Sequence, residues 1–216
     1  TLNIKNSFIA YNYGHNSGGI YAISSTAINI TDTEFAHNSA GYNGGAVQIY
    51  GGATFKNVLF HNNRPGARGG AVYLGGVGTS TITNCTFSKN TAPGDSWGTG
   101  GAVFLTSAAT VNIKNSILYD NSPNEIDFMV LGNESTLNVE YSNVEGGSSG
   151  IDTEDNGTVN WNSGNIDLDP FFVNASSKDF SLQNYSPAIG SGTATGATTT
   201  DINGKTRPTP SNTNPD

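Results

Sequence analysis

Four residues of this chain are of a type that can carry a proton and fall in one phase or the column beside it. His37, Lys89 and Asp120 stand with Tyr11 and Asn62 immediately before a repeated Asn, and His61 stands one place earlier in its own repeat. A Lys or His base beside an acid could abstract a proton or assist glycosidic cleavage. The column is mixed, however, and no second acid adjoins Asp120. Glycoside hydrolysis needs two carboxylates roughly 5 to 9.5 Å apart, and the outward set Lys5, Thr31, Lys56, Thr83, Lys114 and Glu140 holds one acid. Asp152, Glu154 and Asp155, followed by Asn156 and Gly157, have the oxygen density of a calcium loop but lack the Glu that closes an EF-hand. Aromatic rings offer a different chemistry. Tyr73 and Phe104 are expected to point outward in one column with Ala22 and Gln48, and Trp97 sits in an insertion nearby; exposed rings on a flat sheet suit sugars or another protein, the alternative being that the C-terminal flap covers Tyr73 and Phe104. The expectation is therefore ligand binding at Tyr73, Trp97 and Phe104 and no catalytic residue. His37, His61, Lys89 and Asp120 form the alternative catalytic set. Calcium at Asp152, Glu154 and Asp155 is the one cofactor the sequence suggests, against the plainer reading of a solvated loop.

What must position these residues is a repeat. Gly69-Gly70-Ala71-Val72-Tyr73-Leu74 recurs as Gly44-Gly45-Ala46-Val47-Gln48-Ile49 and Gly100-Gly101-Ala102-Val103-Phe104-Leu105, with a looser copy at Gly18-Gly19-Ile20-Tyr21. A second marker, an apolar residue followed three places later by Asn, pairs Ile9 with Asn12, Phe35 with Asn38, Phe60 with Asn63, Phe87 with Asn90 and Leu118 with Asn121. Those Asn residues are 26, 25, 27 and 31 apart. Two phased markers at one period are the signature of a solenoid. Pro93 to Trp97 reads as a loop inserted in the fourth coil, since it lengthens the spacing without disturbing either marker.

Within a coil the period is two. Ala27-Ile28-Asn29-Ile30-Thr31 and Thr110-Val111-Asn112-Ile113-Lys114 alternate as half-buried strands require. The spacing predicts an all-β fold, a right-handed parallel β-helix of three short strands and about 25 to 31 residues per coil. Three inward columns follow: Ile4, Ile30, Phe55, Ile82, Ile113 and Val139; Ile9, Phe35, Phe60, Phe87, Leu118 and Val144; and Tyr21, Val47, Val72 and Val103 with Ile23, Ile49, Leu74 and Leu105. The Asn column is placed at a bend, where Asn tolerates left-handed backbone and bonds its stacked copies. Residues 1–145 are assigned to coils and 146–216 to an irregular closing segment. In that segment Phe171, Phe172, Phe180 and Leu182 would cap the last coil, and the stretch from Ser191 would form a flap or a linker.

The paired signatures Gly-Gly-Ala-Val and Phe-x-x-Asn resemble the repeats of chlamydial-type polymorphic outer-membrane proteins and of pectate-lyase-like surface proteins. The tail, with Asp167-Leu168-Asp169-Pro170-Phe171-Phe172 and Ser186-Pro187-Ala188-Ile189-Gly190, resembles the segment that closes such helices ahead of a variable C-terminal anchor. The resemblance implies an exported, extracellular or cell-surface protein, either an adhesive or structural module or a polysaccharide lyase or hydrolase. A lyase of that superfamily would set a Lys or Arg base beside calcium-binding carboxylates, and His37, His61, Lys89 and Asp120, with Arg64 and Arg68 nearby, come nearest to it. Surface glycans or proteins are the expected partners.

Composition agrees. A net charge of −8 argues against nucleic acid, and no apolar run approaches the roughly 20 residues that cross a bilayer. The one Cys, Cys85, falls in the inward phase and is read as a buried small hydrophobe. The chain opens inside a coil without Met, which reads as a piece of a longer protein carrying its targeting and anchoring elsewhere.

Overall fold

The computed structural model describes residues 1–23, 27–93 and 99–207. Strands of alternating apolar and polar residues stack in parallel, coil upon coil, on three faces. The first face takes Leu2–Lys5, the leading halves of Ile28–Ala36 and Ala53–His61, then Gly78–Thr83, Ala109–Lys114, Ser135–Glu140 and Gly157–Trp161. The second takes Phe8–Ala10, the trailing halves of those two long strands, Thr86–Ser88, Ile117–Tyr119 and Asn143–Val144. Ile20–Ile23, Val47–Tyr50, Val72–Gly75, Val103–Leu105 and Ile126–Phe128 form the third.

The inward side chains make one continuous core. Ile30, Phe55, Ile82, Ile113 and Val139 line the first face from within, and Phe35, Phe60, Phe87, Leu118 and Val144 the second. Phe60 stacks between Phe35 and Phe87 with ring centroids 5.1 and 4.6 Å away, so each ring is both core filling and a spacer between coils.

Between the first and second faces the chain turns on single left-handed residues, Asn6, Asp32, Asn57, Asn84, Asn115 and Tyr141, all with φ between 48° and 53°. Asn and Asp tolerate that conformation best among residues with a Cβ. The repeated Asn itself is not left-handed. That role falls to the residue before it, Tyr11, His37, Asn62, Lys89 or Asp120, with φ of 54° to 63°. The Asn instead forms a ladder. Asn12, Asn38, Asn63 and Asn90 each donate from backbone N and from Nδ2 to Oδ1 of the next Asn, at 2.8–3.1 Å. The next place after Asn121 would be Gly147, three beyond Val144, and there the ladder ends differently. Asn121 donates to Glu125, from N to Oε1 at 3.1 Å and from Nδ2 to Oε2 at 2.6 Å.

The glycine pairs divide two tasks between them. Gly44, Gly69 and Gly100 have φ of 56°, 69° and 56°, which favours glycine. Their successors allow close approach: a Cβ on Gly70 would lie 1.8 Å from the carbonyl oxygen of Gly101 in the next coil. In the first coil the phase differs from expectation by one residue. Ile20, not Tyr21, is opposite Val47, and Ala22, not Ile23, is opposite Ile49. Tyr21 and Ile23 therefore face outward, at 46% and 64% exposure. The loop from Asn12 to this strand is one residue shorter than in the next two coils, and the pair Gly18-Gly19 hides the slip.

The closing segment does not cap the last coil. It runs back along the outside, because the outer column of the second face presents Leu59, Ile117 and His61 for it to cover. Leu168 bonds Asn143, the antiparallel hairpin of Phe172–Asn174 and Asp179–Leu182 lies over the middle coils, and Lys178 Nζ reaches the Tyr11 hydroxyl at 2.9 Å. The chain then returns along the left-handed amide column, where Asn115 bonds Thr193, Asn84 bonds Thr198, and Asn57 bonds Thr198 and Thr200.

Candidate functional site

The alternative catalytic residues fall into two pairs. Lys89, half-buried, and Asp120, exposed, form an ion pair at 3.5 Å. His37 and His61 meet edge to face, with centroids 5.6 Å apart, and Tyr11 stacks on the other side of His37 at 4.8 Å. His61 is completely buried: Nε2 lies 2.8 Å from Glu34 Oε1, Nδ1 lies 2.9 Å from Asn62 Oδ1, and the Phe180 ring covers it at 5.0 Å. Burial first, then the charges of Lys178 and His61, holds the pKa of His37 below its ordinary value. Neither pair combines a base with two acids.

On the third face Tyr73 and Phe104 do share an outward column, with Tyr21, Gln48 and Asp127 rather than Ala22. Their rings stack at 5.3 Å, but both are buried. Tyr50 packs on Tyr73 at 5.8 Å, and the Arg68 guanidinium lies 5.9 Å from the centre of Phe104. Burial, and then the hydrogen bond with Tyr50, pushes the Tyr73 hydroxyl well above its usual range. The two rings therefore serve packing and offer no open platform. Strand alternation fixes which way a side chain points from the sheet, but not whether a loop lies over it. Trp97 lies outside the described residues.

The same column continues into acids. Asp127 is paired in register with Asp152 on the next coil, and ligand oxygens of Asp127, Asp152 and Glu154 lie within 4.8 Å of one another. Asp127 replaces Asp155 in the expected cluster. It is buried, and its Oδ2 accepts from Thr99 N at 2.6 Å and Thr99 Oγ1 at 3.0 Å, while Oδ1 accepts from Phe128 N at 2.6 Å. Burial raises its pKa against the pull of those donors; Glu154 is raised by burial and then by Asp152, Asp127 and Asp155. Two acids thus occupy consecutive coils of one column, which the scan of the first face did not find. Extending the Gly-Gly-Ala-Val phase by one coil, to Pro123-Asn124-Glu125-Ile126 followed by Asp127, would have found the buried one. Calcium takes six to eight oxygens, so three carboxylates would supply part of its shell and water the rest.

A wide concavity lies elsewhere. A cleft of about 1220 Å³ opens between the hairpin and the returning segment. Its floor is the outer column of the second face, Phe8, Leu59, Thr86 and Ile117, and its walls include Asn57, Asn84, Asp179 to Leu182 and Asp201 to Arg207, apart from Gly204. Sequence reasoning missed it because half the lining comes from the aperiodic segment, whose path no repeat announces.

Comparison with known proteins gives one match, to a family described as right handed beta helix region, over residues 1–168. No curated protein and no solved structure matches the chain.

Proposed function

The chain belongs to the right-handed β-helix family, and from that premise we propose that it is a non-catalytic structural and adhesive module of a secreted or cell-surface protein, with surface glycans or proteins as its partners. The observation that carries this reading is the cleft along the second face. It is large enough for a chain-like ligand, its floor is a stack of strands, and the imidazole of His61, behind the lining residues Glu34 and Phe180, is sealed under the Phe180 ring. Of the charged groups that line it, Glu34 is held by His61 and Lys178 by Tyr11, which favours holding a ligand over reacting with it.

A second reading, a carbohydrate-active enzyme, is favoured by the neighbouring acids Asp127, Asp152 and Glu154, since glycosidases use a carboxylate pair and raised carboxyl pKa values suit a proton donor. One experiment separates the two. The protein is run through gels containing a panel of polysaccharides, and in parallel incubated with them while unsaturated-uronate absorbance and reducing ends are followed. Retardation without turnover is expected. Turnover abolished by Asp152→Asn, or by Lys89→Ala or Asp120→Ala, would replace adhesion with catalysis.

A further inference from the structure

We propose that the cleft between the hairpin and the returning segment is a subsite for a neutral oligosaccharide, with Phe8 as its stacking platform and the amides of the wall as its hydrogen-bonding rim. This rests on the adhesive reading and names the ligand class and its seat.

Apart from Lys205, an exposed lysine of the wall, the charged residues of the cleft are already engaged within the protein. Asp32 lies 3.8 Å from Lys5 Nζ and accepts from Asn57, and Glu34 contacts His61 at 2.8 Å. Asp201 accepts from the backbone of Asn203 and Lys205, and Asp179 from that of Ser181. On the cationic side Lys178 is held by the Tyr11 hydroxyl and ring, and Arg207 Nη1 donates to Asn57, Thr198 and Thr200. A carboxylated chain would have to compete for these cations, and a cationic one for these acids, while a neutral chain displaces no ion pair.

What remains unengaged fits a sugar. Phe8 lines the cleft at 63% exposure, an aromatic face open to the apolar side of a pyranose ring. Asn84, which lines the wall, is buried, and its Nδ2 has no acceptor among the described residues although its Oδ1 accepts from Thr198 N. An unmet buried donor at the wall gains from an acceptor oxygen brought to it, and hydroxyl and ring oxygens are that chemistry. An apolar floor beneath an amide-rich rim matches the two faces of a sugar ring.

The test is titration calorimetry of the 216-residue chain with neutral gluco-, manno- and galacto-hexaoses, a hexa-uronate, and an uncharged extended peptide, each at low and high salt. Two variants are used: Phe8→Ala, which removes an exposed ring, and Thr86→Trp, which fills the cleft from its floor. Circular dichroism confirms that both fold. Expected is binding of at least one neutral hexaose, unchanged by salt, weakened at least tenfold by Thr86→Trp and about fivefold by Phe8→Ala. Preference for the uronate with affinity falling as salt rises, preference for the peptide, or full affinity in Thr86→Trp would each overturn the assignment. Polysaccharide retardation that persists in Thr86→Trp would leave the adhesive reading standing and move its site; loss of all retardation in the wild type would remove both.

Discussion

Glu125 gives the sharpest test of the ladder. Its carboxyl group closes the Asn column, is almost wholly buried, and is pushed up from 4.5 to about 8, burial outweighing the two Asn121 hydrogen bonds that favour the charged form. The unfolded chain releases this proton above about pH 4.5, whereas the folded chain holds it to about pH 8. The folded state therefore binds more protons across that window, so stability is greatest at its acid end and falls as pH rises towards 8. Between pH 5 and pH 8 the loss from this group is roughly 4 kcal/mol, at about 1.36 kcal/mol per pH unit. Asp127 and Glu154 act in the same direction and His37 in the opposite one, so the readout is the difference between wild type and Glu125→Gln. Urea melts of both proteins at pH 5, 6, 7 and 8 supply it. The Gln NH2 cannot accept from Asn121 as the carboxyl's second oxygen does, which costs the variant an offset of about 1 to 3 kcal/mol. On top of that offset, the wild-type advantage should shrink by roughly 4 kcal/mol from pH 5 to pH 8. A difference that stays constant with pH would refute the argument, because Glu125 would then titrate alike in both states.

Phe60→Ala should destabilise by about 3 to 5 kcal/mol in denaturant melts, since the rings above and below cannot close on the void; a loss under about 1 kcal/mol would contradict the stacking. Asn63→Ala, which strands the N and Nδ2 of Asn38 and a carbonyl of the coil before, should cost about 2 to 4 kcal/mol, and more than Asn16→Ala, whose side chain is outside the ladder. Gly70→Ala should cost about 3 kcal/mol or more, because its Cβ meets the backbone of the next coil; near-wild-type melting would show that the coils can separate there. Cys85, buried and pushed up to about 12 chiefly by desolvation, should not react with a thiol reagent at pH 8 until the protein is unfolded, and stoichiometric labelling of the native chain would place it at the surface.

The coils were legible because packing repeats. A buried residue such as Phe60 recurs as Phe35 and Phe87, and period-two alternation then assigns each neighbour to a side. The same regularity misled at Gly18-Gly19, where glycines satisfied the marker one residue out of phase; what fixes phase is which side chain enters the core, and Ile20 and Tyr21 are both apolar enough to be candidates. Tyr73 and Phe104 were correctly given an outward direction, but an exposed role does not follow, because burial on an outer face depends on how neighbours such as Tyr50, from the next outward column, and Arg68, from a loop, lie over them. Asp127 was hidden in a coil that had lost its Gly pair. The cleft was beyond reach for a related reason. Its walls depend on how Lys178, Phe180 and Thr198 meet coils more than a hundred residues earlier, and chain separation of that size leaves no local pattern.

The returning segment also changes how the molecule can come apart. A solenoid whose coils touch only their neighbours opens from an end, one coil at a time, as a zipper does. Here Lys178 is fastened to Tyr11, 167 residues away, and Asn57 to Thr200, 143 residues away. The coil that carries Tyr11 cannot fray without releasing Lys178, so two stretches far apart in sequence unlatch together and the zipper behaves as a buckle. For a polypeptide delivered N-terminus first, the coils from Tyr11 to Asn57 stay provisional until Lys178 and Thr200 emerge to fasten them.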